Sequence, residues 1–421
     1  MDTEMFSGIA KDLISLVKRD KRMTRIVDES ETAQPLFEAR IEYVDDNKIQ
    51  VIEDNIVEII DVNSFRKHNT FIPIYGVDSS TRTITSPFFF MGIGFGIGVN
   101  YRYGDKIECP SIMKVIGKDP TLCQDCKWMI LIPFSGPDDV ILKNPCIMAH
   151  SPAGTPYDET YNRYAALDEL RLVIENSILS MILMKTSSES YNVVFLDGPI
   201  YIVPKLVTMY SSLKPPSRGR VDDYIASWKA LIKERLEMLR RKKKTTLVYG
   251  IVKRLENSYI LSRIDPVGLT GGAKINDQAY LILYIRSVFK NSSAKPFIIG
   301  PIKIGAPQEL TNIPSKIVYY IGLPRHRYAI DTGVAPYGFY RVEFLEYDLS
   351  FILKTYDHPC TPPLIDSLLS GTVIPLSILI ADKLAKDVSR GITNYFIRLL
   401  EDNGVPLTYD SMRSIEGYFI G

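Results

Sequence analysis

Histidine is scarce in this sequence. Its four copies among 421 residues, His68, His150, His326 and His358, are too scattered to build an imidazole-based metal centre. No Ser-His-Asp or Cys-His pattern marks a nucleophile activated by an imidazole base. An excess of one charge is also missing, with 50 Lys and Arg against 49 Asp and Glu. Any nucleic-acid surface must therefore come from local clustering rather than a global basic field. The longest apolar stretches, Pro87 to Val99 and Val373 to Ala381, fall short of the roughly 20 residues needed to span a bilayer. Met1-Asp-Thr-Glu-Met5 is acidic where a signal peptide is basic. A cytoplasmic protein that does not engage a membrane is the expectation. Glutamine is rare as well, at five copies, while Ile, Tyr, Lys and Glu are plentiful, a bias that leans toward a thermophile. In such organisms intracellular disulfides occur.

What is present is ordinary for a folded globular protein: 46% apolar and 24% charged residues. Periodicity predicts a helix over residues 1–35 and short strands over 36–66, then a strand from Ile72 that ends at Asp78-Ser-Ser. Phe88 to Tyr103 reads as β-structure with Gly92, Gly94, Gly96 and Gly98 at every second position, hence on one face. That face is flat and open to close approach. It is not a phosphate-binding loop, because Gly-Lys-Ser/Thr and a following helix are missing, so no ATP site is expected. Residues 105–150 read as irregular. An amphipathic helix is predicted over 157–186, a buried strand from Tyr191 to Asp197-Gly-Pro, a helix over 221–244 and a strand over Thr246 to Lys253. Strands at Ala279 to Ser287, Lys316 to Gly322 and Gly338 to Phe344 precede two helices at about 363–370 and 375–401. The expectation is an α/β protein with a mixed central sheet flanked by helices. Residues 1–66 would form an N-terminal helix and small β region, and 67–421 the main domain with a Cys-containing insertion at about 105–150.

Asp78 and Asp197 share a pattern. Each follows a run of strand-forming apolar residues and precedes small ones, Ser79-Ser80 and Gly198-Pro199. Two acids at the ends of neighbouring strands can clamp Mg²⁺ or Mn²⁺, which take hard oxygen ligands, and metals held there can activate water against a phosphodiester. Asp-Gly and Asp-Ser at strand ends are also ordinary turn chemistry. Between them the predicted helix carries Asp168, Glu169 and Glu175. Lys253 and Arg254 follow a strand and can meet a phosphate, or simply be a solvated strand end. Arg240 to Lys244 closes a helix, where cations complement the helix dipole; as a phosphate-tracking patch the run would make DNA binding steeply salt-dependent. Cys109, Cys123, Cys126 and Cys146 are spaced C-x13-C-x2-C-x19-C. The C-x2-C pair is half of a zinc site, and structural zinc, disulfides and buried thiols all stay open.

In order along the chain, Gly76-Val-Asp78-Ser-Ser, Leu172-Val-Ile-Glu175, Phe195-Leu-Asp197-Gly-Pro, Gly250-Ile-Val-Lys253-Arg, Tyr340-Arg341-Val-Glu343-Phe and Ile374-Pro-Leu-Ser-Ile-Leu-Ile-Ala-Asp382-Lys resemble the motifs of the archaeal NurA nucleases. The resemblance spans roughly residues 70–400. It implies an RNase H-like core and a Mn²⁺-dependent nuclease, with Mg²⁺ as the alternative metal. The implied substrates are single-stranded DNA and double-stranded ends trimmed 5′ to 3′. The implied partners are a second copy of the chain and a HerA-type hexameric translocase in DNA end resection. Carried over by motif, Asp78, Glu175 and Asp197 become the metal carboxylates, with Glu169 in reserve for Glu175. Asp382 joins the catalytic set, and Lys253, Arg254 and Arg341 become DNA contacts. Two positions depart from the pattern: Ile374 stands where the family has tyrosine, and Asp382 where it has histidine. Asp can bind a hard metal as histidine can. The two departures, Ile374 and Asp382, motivate a second reading, a catalytically weak or inactive adaptor that binds DNA or the translocase.

Overall fold

The computed structural model describes residues 44, 48–53, 56–61, 72–113, 126–134, 143–186, 191–204, 220–242, 244–289, 295–306, 313–325, 337–408 and 411. The expected helix over 1–35 and the strand from Phe37 lie outside the described residues, Val44 apart. In chain order the strands are β1 (Ile49–Val51), β2 (Val57–Ile59), β3 (Ile74–Thr85), β4 (Phe89–Asn100), β5 (Asp105–Cys109), β6 (Met129–Pro133), β7 (Ile147–Met148), β8 (Asn192–Asp197), β9 (Thr246–Val252), β10 (Phe297–Ile304), β11 (Lys316–Pro324) and β12 (Tyr337–Leu345). The helices are α1 (Arg163–Lys185), α2 (Val221–Arg241), α3 (Ile260–Ile264), α4 (Asp277–Val288), α5 (Leu349–Thr355), α6 (Thr361–Ser370) and α7 (Leu376–Asp402).

One mixed sheet runs through the described residues in the order β1-β10-β11-β12-β9-β8-β3-β4-β6-β7, with β2 also on β10 and β5 also on β4. Its centre is parallel: β3 pairs with β8 and β8 with β9. Antiparallel ladders flank this centre, β3–β4–β6 on one side and β9–β12–β11–β10 on the other. The α/β class with a mixed central sheet and flanking helices is therefore as expected.

The glycines of β4 explain how close the helix layer sits. A Cβ at Gly94 would lie 2.3 Å from Ile174 of α1, and one at Gly98 2.7 Å from Ile182. Leu170, Ile174 and Ile178 thus bury their side chains directly onto the strand backbone. Asn162 caps α1 by accepting from the amides of Tyr164 and Ala165 at 2.9 and 3.1 Å. The opposite face of the same strands takes α7: Phe95, Ile97 and Val99 pack with Ala381 and Ala385.

Four expectations change. Ala279 to Ser287 is helical, within α4, because Asn276 caps it through the amide of Ala279 and Tyr280, Leu281, Tyr284 and Ile285 fall on one buried stripe. Exposed Ile282 and Leu283 fill out the apolar run and mimic a buried strand. β10 is not among the expected strands; Gly300-Pro301 interrupts it, and its register slips between Ile299 and Ile302. Residues 105–150 are not wholly irregular, since β5 and β6 both pair with β4. Structural zinc is not supported at three of its four proposed ligands: Cys109 and Cys126 form a disulfide, and Cys146 is disulfide-bonded too, leaving no thiolates there to bind a metal.

Candidate metal centre

The β3/β8 ladder places two acids side by side. Its last in-register pair is Val77 with Leu196, so Asp78 and Asp197 are the next residue on each strand. β8 stops at Asp197, as the sequence reading expects. β3 does not stop at Asp78; it continues to Thr85 in a hairpin with β4. What ends at Asp78 is the parallel pairing, which opens a gap beside its carboxylate.

The third acid comes from α7. A Cβ at Gly76 would lie 2.2 Å from the carbonyl oxygen of Ser377, so the first turn of α7 rests on the backbone of β3. Asp366, fully buried on α6, holds that turn: its Oδ2 accepts from the Ser377 amide at 2.9 Å and the Ser377 hydroxyl at 2.8 Å. Tyr101 donates to its Oδ1 at 2.9 Å. Asp382 lies just over a turn further along α7. Asp78, Asp197 and Asp382 each bring a carboxylate oxygen within 4.8 Å of the others. Hard oxygen donors so grouped suit Mg²⁺ or Mn²⁺.

The electrostatics fit a cation. Burial pushes the Asp78 carboxyl well above the ordinary carboxylate range, and Asp197 adds to the push. Asp197 is also raised by burial, against the opposing pull of Lys253. Burial works to raise Asp382, but Lys386 and Lys253 outweigh it and hold that carboxyl low. Lys253 Nζ sits 2.7 Å from Asp197 Oδ2 and 3.6 Å from Asp382 Oδ2.

Glu175 stands apart from the three acids. Strand residues alternate in facing. Asp78 pairs with Ile97 on the α7 face, whereas Ser79 pairs with Gly96 on the α1 face. Glu175 accepts from the Ser79 hydroxyl at 2.9 Å and ion-pairs with Arg171 at 3.1 Å and Arg235 at 3.0 Å. Burial works to raise its carboxyl, but the two guanidiniums hold it low. Arg171 also reaches Asp78 at 3.4 Å, linking the two faces. Its signal in the sequence is the i,i+4 spacing to Glu175. Glu169 is remote from the centre: Tyr157 and Tyr161 donate to it at 2.6 and 2.7 Å.

Among the expected DNA contacts, Lys253 lies at the centre and Arg254 is exposed. Arg341 is 1% exposed, donates to Ser258 at 2.8 Å and pairs with Glu343 at 2.6 Å. A guanidinium so engaged is withheld from a phosphate. Ile374 lines a cleft that begins at Lys253. No helix among the described residues is long and apolar enough to cross a membrane.

Solved NurA structures align with the chain at low identity and low TM-score. The NurA nuclease from Sulfolobus solfataricus aligns at 12% identity and a TM-score of 0.38, over 96% of this chain and 97% of that one. A NurA structure with manganese aligns at 10% and 0.35, over 96% and 99%. A NurA structure bound to dAMP and manganese aligns at 8% and 0.34, over 83% and 88%. No curated protein sequence matches the chain. The model of the NurA domain matches residues 73–387, from the start of β3 into α7, and the chain belongs to the NurA family.

Proposed function

We propose that this chain is a divalent-metal-dependent deoxyribonuclease. The observation that carries the reading is the trio Asp78, Asp197 and Asp382, whose oxygens converge at the end of a parallel ladder beside Lys253. These three carboxylates would hold Mn²⁺ or Mg²⁺, and a divalent ion in such a site polarises a phosphoryl oxygen and makes water a stronger nucleophile. Manganese in two structures of the family supports that assignment. Lys253 would hold a phosphate oxygen at the reacting centre, and Arg254 would meet the adjoining backbone. Glu175 acts through others: it fixes Ser79 and Arg171, which flank Asp78.

The order β6-β4-β3-β8-β9, antiparallel in its first half and parallel in its second, supports an RNase H-like core. Cleavage of single-stranded DNA, 5′-to-3′ trimming of duplex ends, a homodimer and a HerA-type translocase partner complete the proposal, and they rest on the family resemblance. The alternative, a weak or inactive adaptor, draws on Ile374 and Asp382. Asp382 argues against it, because its carboxylate stands inside the cluster and still offers a ligand.

The test is cleavage of end-labelled single-stranded and blunt double-stranded DNA in Mn²⁺, Mg²⁺ and EDTA. Metal-dependent products that vanish in Asp78→Asn and Asp197→Asn are the expected result. A folded wild type that cleaves neither substrate with either metal would leave the adaptor reading.

A further inference from the structure

A cleft of about 320 Å³ opens beside Lys253 and runs between α4, the end of β11 and the start of β12. Its volume lies within the roughly 300–1,000 Å³ of small-ligand sites. Lys253 joins it to the carboxylate centre, since that side chain both lines the cleft and contacts Asp197. Arg286 and Arg325 line it too, and no carboxylate among the described residues does. Both arginines are exposed, and neither has an ion-pair partner among the described residues. In a chain with 50 cationic and 49 acidic residues, three cations around one cleft with no acid among the described residues form a local bias. Another part of the lining is apolar. Tyr337 and Phe339 stack on each other with centroids 6.0 Å apart, and Ile374 and Ile282 border the same space.

We infer that this cleft seats the nucleotide next to the scissile phosphate of a single strand. Arg286 and Arg325 take its phosphates, while the aromatic and aliphatic wall takes base and sugar. A purely anionic ligand would not use the apolar wall, and a purely apolar one would leave two exposed guanidiniums unmatched. A nucleoside phosphate satisfies both, and aromatic stacking with backbone cations is how single strands are held without reading their sequence. The assignment deepens the nuclease reading and rests on it for the position of the scissile bond.

The test is fluorescence anisotropy of a short labelled oligothymidylate across a salt series in EDTA, where no cleavage occurs. Arg286→Ala combined with Arg325→Ala is compared with Lys229→Ala combined with Lys233→Ala, an equal charge loss on exposed positions of α2. The first pair is expected to weaken binding about tenfold and to flatten the log–log salt slope by about 1.4, the value for two lost phosphate contacts on a single strand. Ile282→Glu, at an exposed cleft position, is expected to weaken binding by a similar factor. The α2 pair should change affinity less than about twofold. Equal affinities and slopes for the double-arginine and double-lysine variants would overturn the assignment. Hydrolysis of bis(4-nitrophenyl) phosphate by wild type in Mn²⁺ reads the nuclease proposal separately. If wild type hydrolyses nothing but the binding differences hold, the cleft stands and the nuclease reading falls.

Discussion

Lys253 Nζ lies 2.7 Å from Asp197 Oδ2 and 3.6 Å from Asp382 Oδ2, an ammonium shared by two carboxylates, and Lys386 pairs with Asp382 from the far side at 2.7 Å. Asp78, the most buried of the three at 2% exposure, has Arg171 at 3.4 Å as its ion-pair partner. Burial and mutual repulsion still disfavour the charge on Asp78, and burial disfavours it on Asp197, so a divalent ion should stabilise the fold. At a hundredfold excess over its dissociation constant a ligand adds about 2.7 kcal/mol. Thermal unfolding with and without Mn²⁺ checks this. Asp78→Asn is expected to lose most of the Mn²⁺-induced rise in Tm. In EDTA it should melt at or above the wild-type temperature, because burial and Asp197 disfavour the native charge. A wild-type Tm indifferent to Mn²⁺ and Mg²⁺ would remove the metal from the reading.

The centre also depends on a contact with no side chain in it. Gly76→Ala would drive a Cβ to 2.2 Å from the Ser377 carbonyl and push α7, with Asp382, away from β3. Backbone does not yield as a side chain does. The expected cost is at or beyond the upper end of the ~1–3 kcal/mol typical of overpacking, with loss of Mn²⁺ stabilisation. Gly391, exposed within the same helix, meets nothing within 4 Å. Gly391→Ala should raise stability by about 0.5–1 kcal/mol. Denaturant unfolding of the two variants checks both signs, and a tolerated Gly76→Ala would show that α7 can shift without harm.

Asp78 and Asp197 are readable from sequence because each acid closes a hydrophobic run at a place where only a special environment tolerates charge. Their adjacency follows from β3 and β8 being parallel and in register, which no local pattern encodes. Glu175 is misplaced in the sequence reading for a reason of parity: the helix that carries it packs on the face defined by Gly96 and Ser79, one residue out of phase with Asp78. The resemblance located Asp382, but its approach to β3 depends on the absence of a side chain at Gly76 and on Asp366, which has no signature of its own. Arg341 reads as a DNA contact until its partner Glu343, two residues along the same strand, is seen to bury it. The cleft was hidden behind α4, whose exposed Ile282 and Leu283 make its sequence look like a strand.

Cys109 and Cys126 are 17 residues apart and tie β5 to the segment that leads into β6. Cross-linking a loop of about that length stabilises by about 3 kcal/mol in the chain-entropy account. Cys109→Ser is accordingly expected to lower unfolding free energy by about 2–4 kcal/mol. Dithiothreitol should lower the wild-type Tm, and a zinc chelator should leave it unchanged. Sensitivity to the chelator with indifference to reductant would restore the zinc alternative.

Glu169 should make stability depend on pH. Burial pushes its carboxyl up from an ordinary 4.5 to about 7, against the hydrogen bonds it receives from Tyr157 and Tyr161. A carboxyl raised in the folded state binds more protons there than in the unfolded chain between those two values. Its contribution is fully present below about pH 4.5 and is lost as pH rises through about 7, on the order of 3 kcal/mol in all. Glu169→Gln keeps an oxygen acceptor and removes the titration. Urea unfolding of both proteins from pH 5 to 8 should show a downward slope in wild type that is shallower in the variant, with the variant gaining on wild type as pH rises. Parallel curves would mean that the two tyrosines hold Glu169 ionised throughout, because hydrogen bonds donated to a carboxylate favour its charged form and can offset desolvation.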